Sequence, residues 1–139
     1  MADMQQYFAF ANANKTCFFA TVEDDQPRVR GLAFWKADAS GFYFQIGGMK
    51  EMCLQLQKNP KAEVCFYGKD DGGSRMLRVA GSVEFVNDRA LKEQVIAERP
   101  FLKDMGLTAD SPDLIILRIA HGEAHFWAKS VKQKEIVTF

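Results

Sequence analysis

Apolar and polar positions alternate along most of this chain, and three segments carry the wider spacing of a helix instead. The first is near the start, where Met4, Tyr7, Phe8 and Ala11 recur at helical intervals until residues 12–14 break the pattern. Residues 16–22 are β-branched and aromatic, residues 23–27 form a polar turn, and residues 28–37 make a second strand, so the pair predicts a hairpin. A further turn at 38–41 leads into a third strand at 42–46, giving an antiparallel meander. Gly47-Gly48 ends it. Met49, Met52, Cys53 and Leu56 then follow at i, i+3, i+4 and i+7, an amphipathic helix that stops at Asn59-Pro60 and would seal one end of the sheet.

Beyond it, residues 62–68 form a strand, 69–74 a charged loop, and 76–85 a long strand with Leu77, Val79, Val83 and Phe85 on one face. Asn87 and Asp88 offer a cap for a helix containing Leu91, Val95 and Ile96, which Pro100 ends before a short segment through Met105. Strands at 113–120 and 123–127 complete the pattern. About six antiparallel strands with helices at the start and after the third and fifth strands suit a small barrel better than a doubly wound sheet.

Composition sharpens this in three ways. A chain of 139 residues fits one domain, residues 1–139, and 12 Phe point to a core built with aromatics. A formal net charge of zero argues against nucleic acid as a partner. Cys17, Cys53 and Cys65 are odd in number and lie in apolar surroundings, which reads as buried free thiols in a reducing cytoplasm. No secretory leader and no apolar run of about 20 residues is visible, so a membrane is not expected as a partner either.

The chemistry with most promise surrounds the second strand and the following helix. Arg28 and Arg30 share a face of their strand and could grip an anion. Gly47-Gly48 opens into a helix that begins with Met49 and Lys50, where free backbone N–H groups, a favourable dipole and a lysine charge all favour phosphate. Neither nucleotide-binding glycine fingerprint is present. His121 and His125 have the spacing of two zinc ligands on a helix, yet their flanks are strand-like and Gly122 lies between them, so sheet-edge histidines are the better reading. No serine stands in a Gly-x-Ser-x-Gly context.

Taken in order, Phe18-Phe19-Ala20-Thr21-Val22, Pro27-Arg28-Val29-Arg30, Gly41-Phe42-Tyr43-Phe44, Lys50 with Gln55-Leu56, Asn59-Pro60 and Leu77-Arg78-Val79-Ala80-Gly81 resemble the pyridoxamine 5'-phosphate oxidase-like family of FMN-binding split barrels over nearly the whole chain. The resemblance implies a mainly β fold with helices (α+β), a six-stranded antiparallel split β-barrel, with FMN as cofactor. Arg30 and Lys50 match positions that hold the FMN phosphate. Gly31, Leu32, Ala33 and Phe34 match those lining the isoalloxazine ring, Gln45 a polar position near the flavin, and Arg28 a possible phosphate assistant. Trp127 matches a late-strand position that approaches the flavin of a partner subunit, and a homodimer with the cofactor at its interface is implied.

Two departures matter. Relatives often carry Ser or Thr where Ile46, Gly47, Gly48 and Met49 stand, so glycine-turn amides would have to replace the hydroxyls. The Arg-x-His motif of true pyridoxamine phosphate oxidases is missing, so oxidation of the vitamin phosphate is not expected. The expected activity is FMN-dependent oxidation or reduction of a small molecule. The competing expectation is a non-catalytic module of the same fold that senses or carries flavin or haem.

Overall fold

The computed structural model describes residues 3–130 and 132–139, with the backbone alone described at Asp70. In chain order the elements are α1 (Gln5–Ala13), β1 (Thr16–Glu23), β2 (Gln26–Ala33), β3 (Lys36–Asp38), β4 (Gly41–Gly47), α2 (Glu51–Lys58), β5 (Lys61–Asp70), β6 (Gly73–Ser82), β7 (Glu84–Phe85), α3 (Arg89–Glu98), α4 (Phe101–Asp104), β8 (Leu114–Ile119), β9 (Gly122–Ala128) and β10 (Val137–Thr138).

The alternation read in residues 16–22 becomes β1, in which Cys17, Phe19 and Thr21 are buried while Phe18 faces outward. A tight turn at Asp24-Asp25, with Asp24 at φ 56°, returns the chain as β2 in register Thr16↔Ala33 through Glu23↔Gln26. β5 and β6 form a second hairpin on a shorter turn than expected: residues 69, 70, 73 and 74 are paired strand, and only Asp71-Gly72 turns. These strands build a six-stranded antiparallel sheet in the order β10-β9-β6-β5-β1-β2, and a four-stranded sheet follows the order β3-β4-β8-β7.

The seven strand runs read in the sequence become ten strands, because two of them divide between the sheets and β10 (Val137–Thr138) was not foreseen. Residues 28–37 leave the first sheet after Ala33 and enter the second at Lys36. The bend is at Phe34-Trp35, whose side chains are buried in different clusters: Phe34 among Phe42, Phe44 and Phe66, Trp35 with Tyr43, Val95 and Leu102. Residues 76–85 divide in the same way at the buried Val83. Strands that change sheets at such corners turn two flat layers into a barrel wall.

Between the sheets is an aromatic core, with Phe19, Phe34, Phe42, Phe44 and Phe66 essentially without solvent contact. Edge-to-face rings at 4.8–5.2 Å, such as Phe34 on Phe66 and on Phe44, add specificity to the burial. Outside the four-stranded sheet, α3 and α4 cover Tyr43, Leu114 and Ile116, which is why β4 is buried on both faces. The expected cap of α3 is present, Asp88 Oδ1 accepting from the Leu91 N–H at 3.1 Å. α2 lies against β1 and starts two residues later than the sequence suggests, at Glu51, with Lys50 as its N-cap.

Candidate functional site

β2 ends the six-stranded sheet, so alternate backbone groups along its outer side have no strand beyond them. Beside it the turn after β4 and the start of α2 close a cleft of about 500 Å3, lined by Arg30, Gly31 and Leu32 on one wall and Met49, Lys50, Glu51 and Met52 on the other. The fold therefore brings together the two cations singled out in the sequence, Arg30 and Lys50, which are 20 positions apart in the chain.

Arg30 points to the inner face, where α2 packs on β1. Its guanidinium donates to Thr21 Oγ1 at 2.8 Å, to Gln55 Oε1 at 2.7 Å and to the Phe19 carbonyl at 3.2 Å. Thr21 and Gln55 are themselves buried, and the Thr21 hydroxyl donates to Gln55 Oε1 at 2.6 Å. Gln55 Oε1 is thus a double acceptor, and its Nε2 leans toward Glu23 at 3.4 Å. Burial lowers the Arg30 pKa and the Glu51 carboxylate raises it, but an arginine stays protonated here.

Lys50 is exposed, lines the cleft and caps the start of α2. The glycine turn offers fewer donors than the sequence suggests. The Gly48 N–H is bound to the Asp113 carbonyl at 2.9 Å and the Lys50 N–H to Gly47 at 3.2 Å. Gly47 itself borders open space. Glu51, adjacent to Lys50 in sequence, adds a carboxylate to the cleft wall, which the sequence reading passed over.

The other candidates divide. Gly31 and Leu32 line the cleft, and Ala33 continues the same edge. The Phe34 side chain is committed to the core, so only its backbone reaches this edge. Gln45 lies on β4, its Oε1 accepting from Arg99 at 3.3 Å. Arg28 lies outside the cleft lining and pairs with Glu23 at 3.0 Å on the surface. Trp127, 42 % exposed, is on β9, four strand spacings from β2 or roughly 19 Å, so it cannot meet Arg30 of its own chain.

Arg99 is the residue that sequence patterning missed. It caps the C-terminal end of α3, and its guanidinium donates to the carbonyls of Ala33 at 2.9 Å and Phe34 at 3.2 Å as well as to Gln45. The partners are 54 to 66 positions distant, beyond any local signal.

On the outward face of the six-stranded sheet, cross-strand register aligns Gly31, Phe18, Cys65, Arg78 and His125 in one row. Around it Val29, Phe18, Tyr67 and Trp127 are 70 %, 47 %, 51 % and 42 % exposed, a broad apolar surface broken by the Arg78–Glu63 pair at 2.8 Å. His121 and His125 lie on a turn and on β9, so the helical i, i+4 geometry of a zinc pair does not arise.

Two antiparallel sheets exchanging strands around an aromatic core, with helices at their rims, define a split-barrel protein. The family model for pyridoxamine 5'-phosphate oxidase matches residues 4–128, and the chain belongs to that family. Among solved structures, a NimC/NimA family protein from Clostridium acetobutylicum is similar at 26 % identity and TM-score 0.81, covering 98 % of this chain and 92 % of its own. General stress protein 26 from Bacillus anthracis is similar at 18 % identity and TM-score 0.77, covering 97 % of each chain. HutZ, a haem storage protein from Vibrio cholerae, is similar at 22 % identity and TM-score 0.66, covering 92 % of this chain and 95 % of its own. No curated protein sequence matches the chain.

Proposed function

We propose that the chain is an FMN-dependent oxidoreductase acting on a small molecule, with the FMN phosphate held by Arg30 and Lys50 and the ring along Gly31, Leu32, Ala33 and the backbone of Phe34. The observation that carries this reading is the convergence of both cations on one cleft beside β2, an edge strand with no further strand paired to its outer side. The donor set fits a phosphate monoester: a guanidinium fixed by Thr21 and Gln55, the exposed Lys50 ammonium, and the first amides of α2. Glu51 opposes that anion and weakens the grip.

FMN, when bound, supplies the electron transfer, while the protein supplies orientation and access. A second copy would cover the apolar sheet face and bring its Trp127 toward a cleft that Trp127 of the same chain cannot reach. We assign residues 1–139 to one domain, and place it in the cytoplasm on the strength of its three free thiols. Among the described residues no helix is long and apolar enough to cross a membrane.

A second reading is a module of this fold that carries flavin or haem without turnover. It is favoured by the two glycine-turn amides bonded elsewhere, and the similarity to HutZ adds haem to the ligands worth testing. The test is the visible spectrum of the purified protein after incubation with FMN and gel filtration, followed by a reductant. A retained flavin band that bleaches supports the oxidoreductase. Loss of flavin with retention of added haemin favours the second reading.

A further inference from the structure

We propose that Arg99, flanked by Phe101 and reaching the β2 edge at Ala33 beyond the cleft, forms a substrate subsite that takes the carboxylate of an aromatic acid. The inference rests on the FMN reading for its place in catalysis, but its argument begins with Arg99 itself.

Pro100 ends α3 and leaves Arg99 at the cap, from where it reaches across to the edge of β2. All of its acceptors, the Ala33 and Phe34 carbonyls and Gln45 Oε1, are neutral. No carboxylate lies within ion-pair distance of it among the described residues. Three contacts leave two of its five N–H donors uncommitted.

The next carbonyl along, that of Trp35, accepts from Lys15 Nζ at 2.5 Å, so a second cation stands beside the first. Burial lowers the pKa of both groups, and the Arg99 charge lowers that of Lys15 further. Glu98 offsets this in part, although its oxygens already accept from Trp35 Nε1 at 3.0 Å and from Gln94 at 2.7 Å. Two partly desolvated cations sharing so little negative charge form a site that an added anion completes.

Its position suits a substrate of the flavin. Ala33 is three residues from Arg30 along β2, roughly 10 Å, so FMN anchored by its phosphate at Arg30 and Lys50 would bring its ring toward Arg99, where a substrate on that ring would meet the guanidinium. Phe101 is 51 % exposed with its ring centroid 5.7 Å from the Arg99 guanidinium, an apolar plate on which a planar acid can lie.

The experiment uses FMN-loaded protein, titrated with benzoate and with neutral benzamide. It is followed by flavin difference spectra and by the 15N signal of the Arg99 Nε. The proposal expects benzoate to shift both signals and benzamide neither. Arg99→Gln should weaken benzoate roughly tenfold or more beyond any effect on FMN, with Arg99→Lys intermediate. Should Arg99→Gln fail to fold, Lys15→Gln is expected to weaken benzoate severalfold. Equal binding of benzamide, no benzoate binding, or benzoate binding indifferent to these substitutions overturns the proposal. Should FMN fail to bind while benzoate still shifts the Arg99 signal, the anion site stands and the flavin reading falls.

Discussion

Gln55 Oε1 accepts from Arg30 at 2.7 Å and from Thr21 at 2.6 Å, so one buried amide oxygen fixes the cation that the cleft presents. Replacing Gln55 with Leu removes the acceptor shared by the buried Thr21 hydroxyl and the half-buried Arg30 guanidinium. We expect a loss of about 1–3 kcal/mol in unfolding free energy, measured in urea, together with weaker FMN binding. Retained affinity in a destabilised Gln55→Leu protein would show that Arg30 does not need this support.

Glu51 contributes the acidic side chain on the cleft wall, one residue from Lys50. Glu51→Gln removes repulsion from an incoming phosphate without disturbing the core, because the side chain is exposed. FMN affinity should rise by a few fold, since charge interactions at exposed positions are worth about 0–1 kcal/mol. A fall in affinity on fluorescence titration would place Glu51 among the groups that hold the ligand.

His125 is 9 % exposed on β9, and burial first, then the charges of Arg78 and Lys134, lower its pKa from the ordinary 6.5, with Glu63 and Glu123 opposing. The unfolded chain therefore takes up this proton at higher pH than the folded one. Stability from the neutral imidazole is fully present above about pH 6.5 and is lost as the pH falls toward the folded pKa. Unfolding free energies measured from about pH 8 to 5.5 should decline across that window, and His125→Gln should flatten the decline. Equal slopes in the two proteins would contradict the assignment.

Tyr67 is 51 % exposed on the outward face of the six-stranded sheet, in the apolar surface we assign to a second copy. Tyr67→Glu should leave the fold intact and shift the protein from dimer to monomer on analytical ultracentrifugation, because an unpaired carboxylate is costly to bury. Unchanged sedimentation would exclude this face as the contact.

The sequence discloses what local pattern controls. The strand alternation of Cys17, Phe19 and Thr21, the stripe Met52, Cys53 and Leu56 and the Asp88 cap all follow from spacing of a few residues. Convergence of Arg30 and Lys50 was legible because only the end of β2, the short β3–β4 hairpin and the turn after it separate them. The corner at Phe34-Trp35 was hidden, since a strand that changes sheets keeps an apolar run through the bend. Arg99 was hidden for another reason: tertiary packing of α3 and α4 delivers it to β2. The outward aromatics alternate as core residues do, and register alone separates Phe18 from Phe19.

The central claim is that Arg30 and Lys50 hold a phosphate, and FMN and riboflavin differ only in that group. Calorimetric titration of both ligands into the wild-type protein and into Arg30→Ala and Lys50→Ala tests it most directly. FMN should bind at least about tenfold tighter than riboflavin, with each substitution removing roughly 1.5–3 kcal/mol from FMN and little from riboflavin. Equal affinities for the two ligands, or FMN binding indifferent to both substitutions, would contradict the account.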